Sequence, residues 1–297
     1  MSHSWTRLRE RSSGFWLNAI VWIALRLGRP LARALLYPIA GYYLLHSDRT
    51  PSRDWFGRVL GRPPTWRELF RHYLVFSETI LDRVFVFAGR DRFFRIEVEG
   101  IEVLENYASA GRGCLLVGAH LGSFEILRAL GRSRGGLSIK ALAYGENSPK
   151  INAVFRRINP QLFSGVIEMG SPAALLGVDE HVSRGGIVAM LGDRSVHGEK
   201  RVACDFFGEQ AWFPAAPVLL GSLLKVPVVL FYCLHRGNAH YQVHFELLAE
   251  DIRLNRTHRN EEIARWMQRY ADRLQHYARL APDNWFNFYD FWDRSGD

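Results

Sequence analysis

Between residues 95 and 250 the chain alternates short continuous apolar runs with longer segments of helical period. Cys114–Val117 and Gly186–Leu191 are apolar-rich runs too short for helices and typical of strands buried on both faces. Arg95–Glu99, Ser138–Ala143, Gly165–Met169, Val202–Phe207, Pro227–Cys233 and Tyr241–Leu247 read as further strands completing the same sheet. Helical segments fall between them at Ile101–Ala110, Glu125–Leu130, Ser148–Asn159, Pro172–Val182 and Pro214–Leu224. A long helix flanks the alternation on each side. In Thr65–Ala88, Thr65 caps with Glu68 three places on, and Leu69, Tyr73, Phe76, Ile80 and Val84 recur at helical spacing. Thr257–Leu280 carries Ile263, Trp266, Met267, Tyr270 and Leu274 on one side. This pattern predicts an α/β fold with a mixed, largely parallel central sheet flanked by helices.

The pattern differs before residue 65. Residues 1–14 are polar, with Arg7, Arg9 and Arg11, and lead into an apolar run at Phe15–Leu25. That run is shorter than the ~20 residues a helix needs to cross a bilayer. Pro30 opens a second apolar helix reaching Leu45, which Pro38 is expected to kink or split. Arg26, Arg29 and Arg33 crowd the place where a leader peptide would be cleaved, which argues against a removed signal. Trp5, Trp16, Trp22, Tyr42 and Tyr43 suit a seat among lipid headgroups. The expectation is a membrane-associated helical region over 1–64, lying on the surface as a hairpin, and an α/β domain over 65–297. Ordinary core helices are the other reading of the same run.

Composition narrows the partners. The 297 residues carry a formal charge of +8, almost all from arginine, which suits an anionic partner such as lipid headgroups or an acidic carrier protein. There is no zinc-finger spacing, no aromatic RNA-binding motif and no lysine-rich run, so nucleic acid is not expected. Nor is there a Gly-x-Ser-x-Gly elbow, a P-loop or a dinucleotide fingerprint, which sets aside serine hydrolases, nucleotide hydrolases and Rossmann dehydrogenases. Three widely spaced cysteines, Cys114, Cys204 and Cys233, read as buried thiols.

Candidate chemistry collects at two strand ends. His120 follows the apolar run at Cys114–Val117, with Glu125 five residues on, across a Gly122-Ser123 break. Facing each other, with His120 on the loop and Glu125 in the first helical turn, they form a catalytic dyad. The alternative is a structural histidine. Gly186–Leu191 runs into Gly192-Asp193-Arg194-Ser195, so a second strand end can share the same crevice. The aromatic loops Phe206-Phe207-Gly208 and Trp212-Phe213-Pro214 supply an apolar wall. Such a site suits transfer of a fatty acyl group to an alcohol: His120 takes the proton, the acid orients it, and Arg194 holds a phosphate or developing charge. Asp193-Arg194 also reads as a local structural ion pair. His240, His244 and Glu246 fall on one strand face, a weak metal pattern that a half-solvated edge strand also produces.

The motifs HLGSFE (120–125), GDRS (192–195), FFG (206–208), WFPAAPVLLGSLLKVPVV (212–229) and NWFNFYDFW (284–292) resemble the bacterial lipid A late acyltransferases. That lauroyl/myristoyl transferase family lies within the lysophospholipid acyltransferase superfamily. The resemblance implies an acyl-carrier-protein or acyl-CoA thioester donor, a membrane-lipid hydroxyl as acceptor, and neither metal nor cofactor. It also implies His120 and Glu125 as the catalytic pair, and Arg156 or Arg157 with Asp193 and Arg194 as substrate-binding residues. The implied location is the cytoplasmic face of the inner membrane. Asp290 and Asp293 stand where the family has a basic cluster, so the chain looks more similar to the offshoot of aryl-polyene clusters, with a glyco- or polyene-lipid acceptor. A thioesterase using the same dyad and a non-catalytic lipid- or carrier-binding protein are the competing readings.

Overall fold

The computed structural model describes residues 14–134, 137–143, 149–160, 165–169, 172–196 and 198–292. Its strands are β1 (Arg95–Glu99), β2 (Cys114–Gly118), β3 (Ile139–Ala143), β4 (Val166–Glu168), β5 (Ile187–Leu191), β6 (Arg201–Phe206), β7 (Glu209–Pro214), β8 (Val228–Gly237) and β9 (His240–Ala249). Its helices are α1 (Gly14–Leu27), α2 (Arg29–His46), α3 (Thr50–Leu60), α4 (Trp66–Phe87), α5 (Glu102–Ser109), α6 (Ile126–Arg134), α7 (Pro149–Ile158), α8 (Pro172–Ser183), α9 (Ala216–Leu224) and α10 (Arg259–Leu280). Seven strands form one sheet in the order β1–β9–β8–β2–β5–β3–β4. All neighbours are parallel except β8 and β9.

The apolar runs occupy the centre because both of their faces are covered. Leu115 and Val117 of β2 and Val188 and Met190 of β5 share a core with Val178 of α8, Val218 of α9, and Met267, Tyr270 and Leu274 of α10. Cys114, Leu116, Ile187 and Ala189 point the other way, against Leu104 of α5 and Ile126, Leu127 and Leu130 of α6. The three cysteines are buried and free.

Two expectations need correcting. Val202–Phe207 does not extend the sheet; β6 pairs antiparallel with β7 as a separate hairpin. Its two-residue loop, Phe207-Gly208, has φ of 58° and 80°, the primed geometry that matches the twist of a tight hairpin. Nor does β9 lie at an edge, since β1 covers its outer side. There His240 pairs with Glu97 and His244 with Glu99, while Glu246 is held by Arg273 and Tyr277. Among the described residues no group of His, Cys, Asp and Glu side chains is placed to hold a metal.

The capping box expected at the start of α4 is present, with Thr65 and Glu68 satisfying each other's backbone amides. Against α4 packs α2, which runs unbroken through Pro38 with that residue on its exposed side. Its inner face is Ala32, Leu36, Ala40 and Leu44, all buried. The opposite face carries Leu31, Ala34, Pro38, Tyr42 and Leu45, all exposed, so α2 is apolar on both sides. The join between α2 and α4 is ionic as well as apolar. Arg29 meets the fully buried Asp82 at 2.7 Å, Tyr241 adds a hydroxyl to Asp82 at 2.8 Å, and Arg33 meets Glu78 at 2.5 Å. Among the described residues no helix is long and apolar enough to cross a membrane. Trp5, Arg7, Arg9, Arg11 and Asp293 lie outside the described residues.

Candidate active site

Adjacent parallel strands place the two central residues. In the pairing of β2 with β5, Gly118 stands opposite Leu191. His120 lies two residues beyond the first and Asp193 two beyond the second, so continuing that register brings the pair side by side. Gly192 N–H donates to Gly118 O (2.8 Å) and extends the ladder one step past the strands. Tyr270 of α10 donates its hydroxyl to the same carbonyl (2.8 Å), fixing the turn from the opposite side.

His120 Nδ1 lies 2.8 Å from Asp193 Oδ1, and the His120 backbone N–H donates to Asp193 Oδ2 at 3.0 Å. Asp193 is 1% exposed, whereas the His120 side chain keeps 28% of its surface, so the imidazole is the accessible member of the pair. With Nδ1 committed to a carboxylate, Nε2 is the nitrogen turned to a substrate. Burial lowers the His120 pKa first and the Arg194 charge second; Asp193 opposes both, and the net direction is down. The ring is therefore neutral at neutral pH. Burial alone would raise Asp193, but His120, Arg194 and the hydrogen bonds override it and hold the carboxyl at about 2.

The structure gives His120 and Glu125 different partners. Glu125 forms an ion pair with Arg83 of α4 at 2.9 Å, and Asp193 takes the place beside the imidazole. Gly122 lets the chain turn between them: its φ is +73°, and a Cβ there would overlap the carbonyl of Cys233. Asp193 is thus a partner of His120 and not a free substrate-binding acid. Arg194 donates to Phe286 O at 2.6 Å and lies over the Tyr289 ring, so it is tied to the C-terminal segment. Arg156 and Arg157 are exposed on the last turn of α7, a helix packed against α1 and α4.

Sequence reasoning left the C-terminal aromatic segment without a position. It runs antiparallel to the His120 turn, with Gly122 N–H donating to Asn284 O (2.9 Å) and Phe286 N–H donating to His120 O (3.0 Å). Between them, Trp285 is fully buried and sends its indole N–H to Asp193 Oδ2 (3.1 Å). His72 of α4, also fully buried, lies 2.9 Å from Trp285 O through Nε2, and burial pulls its pKa down to about 4.

Burial likewise lowers His235. His72, His120 and His235 are thus held neutral in the fold but charge in the unfolded chain. Each lowered pKa contributes stability that is complete above the ordinary histidine value and is lost as pH falls from there towards the lowered one. We expect urea unfolding to show stability declining from about pH 7 to about pH 4, with His72 alone contributing on the order of 3 kcal/mol of the change. His72→Phe should flatten that decline, and an unchanged slope would refute the assignment.

A histidine–carboxylate pair where two adjacent parallel strands end has the parts that proton transfer at a substrate requires. The chain matches the model of the bacterial lipid A biosynthesis acyltransferases over residues 1–294, and it belongs to that family. It is therefore an acyltransferase of lipid biosynthesis, with an acyl donor and a lipid acceptor. No individual curated protein matches it.

Proposed function

We propose that the protein transfers a fatty acyl group from an acyl-carrier-protein thioester to a hydroxyl of a glycolipid or related lipid, at the cytoplasmic face of the inner membrane. The observation that carries this reading is the 2.8 Å contact between His120 Nδ1 and Asp193 where β2 and β5 end side by side. His120 Nε2 takes the proton of the acceptor hydroxyl as its oxygen attacks the thioester carbonyl; the C–S bond breaks and the thiol leaves with a proton returned from the imidazolium. Asp193 fixes the tautomer and stabilises the cation formed midway. Glu125 acts at one remove by holding Arg83, whose charge also reaches His120. Arg83 and Arg194 make the crevice positive, which suits a phosphate on either substrate.

Product analysis tests the reaction. With carrier-bound acyl donor and lipid acceptor, the product should be an acyl ester. Release of free fatty acid at the same rate without acceptor would instead establish a thioesterase. The basic charge of the chain favours an acidic carrier, so turnover with that donor should fall steeply from low to physiological salt. An acyl-CoA that outperforms the carrier at every ionic strength would exclude it.

The outward apolar face of α2, with Trp22 of α1, supplies the attachment: Trp22, Leu31, Tyr42 and Leu45 are each about half exposed or more. Deleting these helices would uncover Glu78 and Asp82, so point changes on the outer face make the cleaner test. Leu31→Glu/Leu45→Glu should fold normally and lower partitioning onto anionic vesicles by more than about tenfold, since burying one leucine is worth more than the ~1.4 kcal/mol that a decade represents. Undiminished vesicle flotation would place the membrane contact elsewhere.

A further inference from the structure

We propose that Trp285 is a positioning residue for acyl transfer, acting through Asp193; the proposal rests on the His120–Asp193 reading above. Asp193 Oδ1 serves the imidazole, and Oδ2 accepts from two donors, the backbone N–H of His120 and the indole of Trp285. The first of these belongs to the very residue that Asp193 must orient. The indole is the donor that ties the carboxylate to a different part of the fold. Trp Nε1 can only donate, so it favours the ionised carboxylate in a single orientation.

The indole itself is held on all sides. Trp55, Phe291 and Phe206 meet it edge-on, with ring centroids 4.6, 4.9 and 5.4 Å away. Its backbone is bracketed by the two bonds to the His120 turn and by His72 from α4. Trp55 donates to Pro282 O (2.8 Å), and Asn284 exchanges bonds with the backbone of His235, N–H to Oδ1 at 2.6 Å and Nδ2 to O at 3.2 Å. Both anchor the segment before it reaches Asp193. The same residue therefore sets where the carboxylate lies and which oxygen faces the imidazole.

The test compares full-length variants by kinetics and thermal melt. Trp285→Phe keeps an aromatic ring and removes the donor. If that variant does not fold, 3-benzothienylalanine placed at position 285 by nonsense suppression keeps the shape and replaces N–H by sulfur. Trp292→Phe is the packing control: it sits in the same aromatic cluster, and its buried indole nitrogen has no hydrogen-bond partner among the described residues. Loss of the Trp285 donor should lower kcat about 10- to 100-fold, the range for an outer hydrogen-bond partner, with KM unchanged. Arg194 and Arg83 act on His120, and Tyr232, Tyr270 and Tyr289 lie within electrostatic reach of Asp193; all five remain in place. The remaining change is a carboxylate with one donor fewer, a stronger base towards Nδ1–H, so the acidic limb of kcat/KM should move to higher pH.

Trp292→Phe should alter neither kcat nor that limb. Equal losses in the two variants with a fixed acidic limb would reduce Trp285 to packing and overturn the proposal. Wild-type kcat and pH profile in a donor-free variant, beside an inactive His120→Ala, would also overturn it while leaving the acyl-transfer reading intact. Activity retained in His120→Ala would instead remove the reading on which it rests.

Discussion

Asp193→Asn should inactivate the enzyme about as severely as His120→Ala, by ~10²–10⁴-fold in rate, with the fold retained. The reason lies in the donors around the carboxylate. The amide oxygen of the substituted side chain would take the site facing the His120 backbone N–H and the Trp285 indole, both of which can only donate. Its NH₂ would then face Nδ1 and force the imidazole proton onto Nε2. A ring protonated there cannot accept the hydroxyl proton. The double variant His120→Ala/Asp193→Asn should be hardly slower than either single one, because residues acting as a unit are not additive. Glu125→Gln should cost less than Asp193→Asn, since Glu125 reaches the site only through Arg83. Acyl-transfer rates beside melts of each variant check all three forecasts, and the reverse ranking of Glu125→Gln and Asp193→Asn would restore Glu125 as the partner of His120.

Arg29→Leu should destabilise the protein by about 3–5 kcal/mol, the usual consequence of leaving one member of a buried ion pair without the other. The Asp82 side chain has no exposure, and after the change the Tyr241 hydroxyl would be left to meet it. Arg29→Leu/Asp82→Leu should recover most of that loss, since two apolar side chains carry no desolvation penalty between α2 and α4. Urea denaturation of the three variants provides the measurement. A small effect of Arg29→Leu would mean that α2 leaves α4 readily and that Asp82 is hydrated when it does.

Much of this architecture was legible in the chain. β2 and β5 announce themselves as continuous apolar runs because both faces are covered, and α4 is delimited by the Thr65–Glu68 box. The expectation of Glu125 beside His120 relied on local spacing, whereas the partner arrives from 73 residues away through strand register. A faint signal existed: His120 and Asp193 each follow within three residues of the end of an apolar run, but nothing in a single sequence states that the two runs are neighbours. The hairpin of β6 and β7 was hidden for another reason. Its turn uses Phe207 at positive φ where Asn or Asp is usual, and the ring is secured by an edge-on contact with Trp55. Trp285 could not be assigned, because a tryptophan among aromatics looks the same whether its indole nitrogen meets a carboxylate or nothing.

The threading of residues 282–292 past the His120 turn has a consequence for biogenesis. A ribosome makes these residues after every strand and helix that they brace, so the crevice strands exist for a time without the segment that holds Asp193. The contact of His72 with Trp285 spans 213 positions, and a chain closed by such distant contacts matures only once that segment has emerged. Under the attachment proposed above, a nascent molecule can settle on the membrane before it is competent to consume activated fatty acid. A chain truncated ahead of Trp285 would then be anchored but idle.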